Sequence, residues 1–391
     1  MDTEALAQSP VGRLVPVHGN DARYGNFAYL AFLPEPLPEE PLGITSKTWT
    51  AVTEACAALA RLDQACRQLA DPELLIRPAL WREALDSSAL EGTYGSLPEL
   101  LEAQLPSSLF ASPEMTEIRA YERVAVQTLE MVKNQPITPG LLAQAQTELF
   151  RDARKQPQDL GRIRRYQVWI GPEDSRIEDS RFVPPPGDDR LVSAMDAWQE
   201  WIETPHDLPP VLRAAMAHYQ FETLHPFGDG NGRIGRLFIV LYLLRSDALH
   251  YPALTVSPWF LKRRTEYQDQ LFSVSATGDW NPWVMFFSQA VREQCMSLIV
   301  GANRLTEWLE SSRAALNERH WTGAIHRLLE DLTEWPVVTI SFAAKKYHVT
   351  QMTATRMIDH LVDVGILREL TGQTYGRRFG ATGVMDIVEA I

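Results

Sequence analysis

HPFGDGNGRIGR, residues His225–Arg236, sits between two apolar helical stretches and decides how the rest of the chain is read. Three glycine-rich patterns overlap it, and physical context excludes each. Gly230 to Gly235 spells GxGxxG, but that fingerprint has meaning only after a strand. The preceding VLRAAMAHYQFETL has helical spacing instead. A phosphate-binding P-loop ends in a lysine that is missing here. A calcium loop ends in a bidentate acid, where this chain has Leu237 and Phe238. What remains is a helix–loop–helix anion site. Glycines allow positive φ and leave consecutive N–H groups facing a concavity. A helix opening at Arg233 adds its unpaired N–H groups and positive dipole end. Arg233 and Arg236, three residues apart, can grip further phosphates. Asp229 offers one hard oxygen ligand for Mg²⁺, which commonly binds a carboxylate together with substrate phosphates. Asn231 can donate to a phosphate gathering charge, and His225 is placed to take a proton from an attacking hydroxyl.

Outward from the loop, apolar spacing predicts helices over Thr45–Ala70, Arg77–Gly92, Glu114–Lys133, Pro139–Arg154, Leu191–Ile202 and Pro209–Leu224. Arg233–Arg245 is apolar on nearly every face, as a helix buried on all sides must be. Residues 1 to about 45 read as loop. GRIRRYQVWIGPEDSRIEDSRFVPPPGDDR, Gly161–Arg190, reads as a hairpin or flap followed by a proline-rich loop. Near the C-terminus, Ser341–Tyr347 and Thr350–Val364 predict two helices across a tight turn, followed by two short strands around Gly372. That is the order of a winged helix-turn-helix, and it reads as a separate module. The expected fold is all-α with one small β-hairpin flap. Its divisions are a helical region at 1–113, a core at 114–310 and a winged module at 320–391.

Composition narrows the class. The 391-residue chain has a net charge of −13, which argues against a general polyanion-binding surface. Its three cysteines lack CxxC spacing and fit free thiols in a reducing compartment. The N-terminus has no secretory pattern, and the longest apolar run, Leu237–Leu244, is too short to span a bilayer. The expected location is the cytoplasm, without a membrane.

The stretch His225–Arg236 resembles the complete Fic motif, HPFx[DE]GNGRxxR, without departure. AHYQFETLHPF, GRIRRYQVWIG, FVPPP and GDWNPWVMFF resemble further parts of the family core. The resemblance implies transfer of AMP from ATP to a Ser, Thr or Tyr hydroxyl of a protein, with release of pyrophosphate. By the same resemblance His225 is the general base and Asp229 holds Mg²⁺. Gly228, Gly230, Asn231 and Gly232 contribute the phosphate-binding loop, while Arg233 and Arg236 contact the β- and γ-phosphates. Phe227 anchors the loop. The flap, at Val168, Trp169 and Ile170, docks the target by strand addition, and Arg263–Leu271 contributes to the adenine pocket. Doc-type kinases carry lysine where Gly232 stands, so glycine favours nucleotidyl over phosphoryl transfer.

Ser87-Ser88-Ala89-Leu90-Glu91-Gly92 resembles the family's inhibitory helix, [ST]xxxE[GN], with Trp81, Leu85 and Leu90 available to dock it. Glu91 would then pair with Arg236 and repel the γ-phosphate. In some relatives that glutamate supports removal of AMP, and relatives often pair as homodimers. The C-terminal module would present Gln351, Thr353, Thr355 and Arg356, with Arg368, Arg377 and Arg378 on its wing. From His320 onward seven Lys/Arg stand against eight Asp/Glu, a thin footprint for DNA. Two uses of the module stay open, contact with protein and contact with DNA. The competing function is a DNA-binding regulator in which the nucleotide site is a sensor.

Overall fold

A computed structural model describes residues 1–391 apart from 42, 70, 106–111, 155, 173 and 373–374. In chain order its elements are α1 (Thr3–Ala7), β1 (Gly12–Asp21), β2 (Gly25–Pro34), α2 (Ser46–Gln68), α3 (Glu73–Leu90), α4 (Leu97–Ala103) and α5 (Pro113–Val132). There follow α6 (Pro139–Leu149), α7 (Asp189–Glu203), α8 (Pro210–Leu224), α9 (Asn231–Arg245), α10 (Ser257–Lys262), α11 (Arg264–Thr277) and α12 (Trp280–Glu318). The C-terminal part comprises α13 (Ala324–Asp331), β3 (Val337–Thr339), α14 (Ile340–Tyr347), α15 (Gln351–Asp363), β4 (Arg368–Glu369), β5 (Arg378–Gly380) and α16 (Thr382–Glu389). The chain is mostly helical, as its periodicity predicts.

Local chemistry sets the helix starts. Thr45, Ser112 and Thr138 each accept a hydrogen bond from the third residue of the helix they open, and prolines follow Ser112 and Thr138 at the first helical position. Ser96 and Glu99 form a reciprocal capping box at α4. The expected end of α2 at Ala70 falls outside the described residues. α6 ends at Leu149, five residues earlier than its spacing suggests.

The α8–α9 pair lies at the centre. Every residue of α9 from Asn231 to Leu243 is buried, which explains its lack of a polar face. Trp198 of α7 packs between Phe221 and Phe238. The 39-residue α12 supports the body by packing on α2, α8 and α11. Its Trp283 donates to the Ala215 carbonyl of α8, so the indole N–H is satisfied within the core.

Three expectations need correction. Residues 1–45 are not loop throughout, because β1 and β2 pair antiparallel from Gly12↔Pro34 to Asp21↔Gly25. Val15 and Val17 point inward, but Pro16 and Gly19 interrupt the alternation that would have announced a strand. Pro16 is tolerated because β1 is an edge strand. Among the described residues the flap is not a regular hairpin: its two arms join at the bridge Ile170↔Phe182, around a 3₁₀ turn at Ile177–Asp179. Phe32 of β2 donates to the Val183 carbonyl at 2.9 Å, so the N-terminal hairpin extends the flap sideways.

The C-terminal part does not stand apart as a separate module. It has the expected helix, turn, helix and strand pair, with β3 added to give the sheet order β3-β5-β4. Residues 373–374, between the paired strands, lie outside the described residues. Its apolar residues, including Val338, Ile358, Val384 and Ile391, belong to one core continuous with the helical body. α16 packs on α3, α4 and α12, and Arg77 pairs with Glu334 at 3.2 Å.

Candidate active site

Helix α8 ends at Leu224, and His225 adopts φ 47°, ψ 62°. This left-handed geometry is unusual for a residue with a Cβ, and it turns the chain into the loop. Asn231 braces the turn from the far side. Its Oδ1 accepts from Phe227 N, and its Nδ2 donates to Phe227 O, each at 2.8 Å. Asn231 thus braces the loop with its Oδ1 and one of its two Nδ2 hydrogens, which leaves the second hydrogen for the phosphate contact that the resemblance implies. The backbone N–H groups that open α9 remain as the anion site. Phe227 is fully buried.

Gly230, at φ 83°, ends the loop, and a Cβ there would lie 2.8 Å from the Phe150 ring. Gly230→Ala is expected to cost roughly 1–3 kcal/mol through strain and overpacking. Denaturant unfolding would show a lower midpoint, and an unchanged midpoint would contradict this account of the turn.

The motif is the wall between two cavities. His225, Gly232 and Arg236 line one of about 650 Å³, together with Glu91, Thr223 and residues of α11. Its size suits a nucleotide. Arg264, Tyr267, Gln268 and Leu271 line it, as the resemblance implies for Arg263–Leu271. Gly228, Asp229 and Arg233 face a second cavity of about 680 Å³. Arg236 thus lines the first cavity and Arg233 the second. Arg233 lies over the Phe150 ring and 3.6 Å from Glu117. Val168, Trp169 and Ile170 are half-buried, and Val168 and Trp169 line a third groove between flap and N-terminal hairpin. Trp169 packs edge-on against Phe27 of that hairpin, a neighbour the loop reading of residues 1–45 could not supply.

Among the described residues no three His, Cys, Asp or Glu side chains cluster as a metal site. Asp229 is exposed at the loop tip, and its Oδ1 accepts from Gly230 N at 2.6 Å. A single carboxylate beside an anion-binding loop fits Mg²⁺ held largely by phosphates and water, and does not fit a site built wholly from protein.

The glutamate predicted to act as a brake faces this cavity. Arg236 donates from Nη2 to Glu91 Oε1 at 2.7 Å, and from Nε and Nη2 to Ser87 Oγ and O at 2.9 and 2.8 Å. Burial raises the Glu91 carboxyl, but the Arg236 guanidinium, with help from Arg233 and His225, outweighs it and holds the group below the usual range. Trp81, Leu85 and Leu90 are buried and fix α3 against the body. Glu83, one turn before Ser87, accepts from the backbone N–H groups of Val256 and Ser257 at 3.0 Å each, tying the same helix to α10. A Cβ on Gly232 would collide with Glu91 Oε1, so glycine at that position lets the pair form.

Burial pushes the His225 imidazole down to about 4, with Arg164 adding to the shift while Glu91 opposes it. His225 is thus neutral at neutral pH, the state a base requires. His218, one of the histidines read as structural, lies between Gly235 O at 2.9 Å and Tyr267 OH at 2.8 Å, and burial lowers it to about 3. Sequence reasoning missed Glu83 and Arg164, since each acts through partners far away in the chain, and it reached Tyr267 only within the segment Arg263–Leu271. The only signal for Arg164 is an arginine shortly after Gly161 in GRIRR.

Two family models match in sequence. The Fic/DOC family model covers residues 136–243, and the model of the Fic/DOC family N-terminal region covers residues 49–130. Residues 136–243 thus resemble a Fic/DOC domain, preceded by a segment similar to that family's N-terminal region. It is similar to the protein adenylyltransferase Fic of Culex quinquefasciatus, 33% identical over 148 residues, which are 37% of this chain and 26% of that protein. The Aedes aegypti protein of the same name is 34% identical over 149 residues, again 37% and 26% of the two chains. The chain thus spans about a quarter of the length of these curated relatives. A Fic family protein from Desulfovibrio desulfuricans shares the fold over 88% of this chain and 98% of its own, with a TM-score of 0.56 at 22% identity. A Fic domain containing signaling protein from Bacteroides thetaiotaomicron gives a TM-score of 0.50 at 20% identity, over 65% and 97% of the two chains. Among the described residues no helix is long and apolar enough to cross a membrane.

Proposed function

We propose that this chain transfers AMP from ATP to a hydroxyl of a protein side chain and that Glu91 restrains the reaction. The observation that carries the reading is the neutral His225 beside a nucleotide-sized cavity whose guanidinium, Arg236, is already held by Glu91. The target oxygen attacks the α-phosphorus, His225 takes its proton, and the bond from that phosphorus to the pyrophosphate oxygen breaks. The N–H groups opening α9, with their dipole end, receive the charge that develops on the phosphate. Arg236, once freed from Glu91, binds the terminal phosphate. Asp229 would hold Mg²⁺, which neutralises phosphate charge when bound. The flap arm at Val168–Ile170 would present the target segment by backbone pairing. The adenylyltransferase names of relatives support the activity. Cytoplasmic location, and use of the C-terminal part on protein partners, belong to the same proposal.

The test is the intact mass of the Glu91→Gly protein after incubation with ATP and Mg²⁺, alongside Glu91→Gly/His225→Ala. One added AMP on the first and none on the second is expected when the chain modifies itself; a supplied protein acceptor extends the assay. A phosphate-sized addition would replace the reading with kinase chemistry.

A further inference from the structure

Arg164 is fully buried, and among the described residues no carboxylate lies within ion-pair distance of it. A buried cation without a counter-charge is costly unless dipoles surround it. Here they do. Its Nε donates to the His225 carbonyl at 2.8 Å, and Nη2 to the Leu224 carbonyl at 3.3 Å. Its backbone N–H donates to the Pro226 carbonyl at 2.9 Å. The residue therefore holds three consecutive carbonyls at the left-handed turn that carries the base. The other bonds run outward: Nη1 donates to Tyr166 O at 2.9 Å and Nη2 to Pro185 O at 2.7 Å, one on each arm of the flap. The guanidinium also sits at the C-terminal end of α8, where the helix dipole favours a cation. Burial lowers it to about 10, so it remains charged at neutral pH.

We propose that Arg164 is the positioning residue for the base: its backbone and guanidinium set the His225 turn and lock it to both arms of the flap. The strain of a non-glycine residue at positive φ persists only where its surroundings over-determine it, and Arg164 supplies that determination from a segment distant in sequence. A lysine has the charge but not the planar fork, so it cannot span these carbonyls together. The flap that would dock a target and the ring that would deprotonate it thus share one rigid joint.

The proposal rests on the reading of His225 as the base, and its test separates the two. In the Glu91→Gly protein, Arg164→Gln and Arg164→Lys are compared for initial AMP-transfer rate per folded molecule, for KM of ATP, and for the pH at which the His225 ring titrates by histidine-labelled NMR. The groups acting on that ring are Arg164 from the flap stem, Glu91 from α3 and the Glu222 carbonyl of α8. With Glu91 removed, Arg164 is the remaining charged group among them. Arg164→Gln is expected to lower the rate by about 100-fold, as misplacement of a reacting group does, with little change in KM. It should also move the ring titration to higher pH. Arg164→Lys should keep the titration near that of the parent and recover only part of the rate. A lower rate with an unmoved titration in Arg164→Gln would reduce Arg164 to a structural brace and overturn the proposal. So would a parent-like rate in Arg164→Lys, which decides the matter if the glutamine variant does not fold. If the Glu91→Gly parent transfers no AMP, the functional reading fails, whereas the ring titration still reports on Arg164.

Discussion

Glu91→Gly raises the initial rate of AMP transfer by roughly 10- to 100-fold, the range expected when a charge-assisted hydrogen bond of about 1.5–3 kcal/mol stops competing for Arg236. The guanidinium is 2% exposed and has few ways to gain a second anion while the first is in place. A terminal phosphate entering the cavity meets a carboxylate already seated on its ligand. Like charges at that distance, partly shielded from water, repel strongly. Removing the carboxylate does not strand the arginine, since both Ser87 contacts remain. The Glu91 side chain is 38% exposed, so its loss leaves no closed void. Glycine also suits the end of α3, where a carboxylate opposes the helix dipole. The gain should be accompanied by tighter binding of ATP but not of adenosine, because the competing group acts on the phosphates. Calorimetry of both ligands against both proteins measures this. Equal ATP affinity and equal rates in the two proteins would remove the brake from the account.

How far the sequence could be read depended on how local each cause was. The loop His225–Arg236 carries its glycines, histidine and acid in one run, so the anion site and its flanking helices were legible in order. The pairing of Glu91 with Arg236 spans 145 positions, yet the resemblance of Ser87–Gly92 to the family's inhibitory helix implied it. The bracing role of Asn231 was not legible, because an amide can serve ligand or loop equally well, and only the fold shows its Oδ1 and one Nδ2 hydrogen engaged by Phe227. The N-terminal hairpin was hidden by prolines and glycines inside its strands, which an edge strand tolerates but a composition-based reading takes as loop. The separation of Arg233 from Arg236 was out of reach for the opposite reason. Three residues along a helix leave about 60° between side chains, and the sequence does not show that one of them lines each cavity. The role of Arg164 was beyond reach, although GRIRR marks its place, since all its side-chain partners are carbonyl oxygens, which no side-chain pattern records.

In the Glu91→Gly background, His225→Ala is expected to lower AMP transfer by roughly 10²- to 10⁴-fold, the usual contribution of a positioned base. The residual rate would come from the helix N-terminus and from ATP binding, neither of which uses the imidazole. KM for ATP should change little, because the ring acts on the attacking hydroxyl. The pH profile provides a sharper test. A free histidine loses its basic form below about 6.5, whereas burial, joined by Arg164, holds His225 near 4. Protonation removes the base, so activity falls only as the pH drops through the lowered value. Glu91 pushes the ring upward, and deleting it lowers the ring further. The His225-dependent part of kcat/KM should therefore stay level from pH 8 to well below 6.5, as obtained by subtracting the His225→Ala rate at each pH. An acid limb centred near 6.5 in that difference would show a solvated ring, and the buried, preorganised base described here would have to be abandoned.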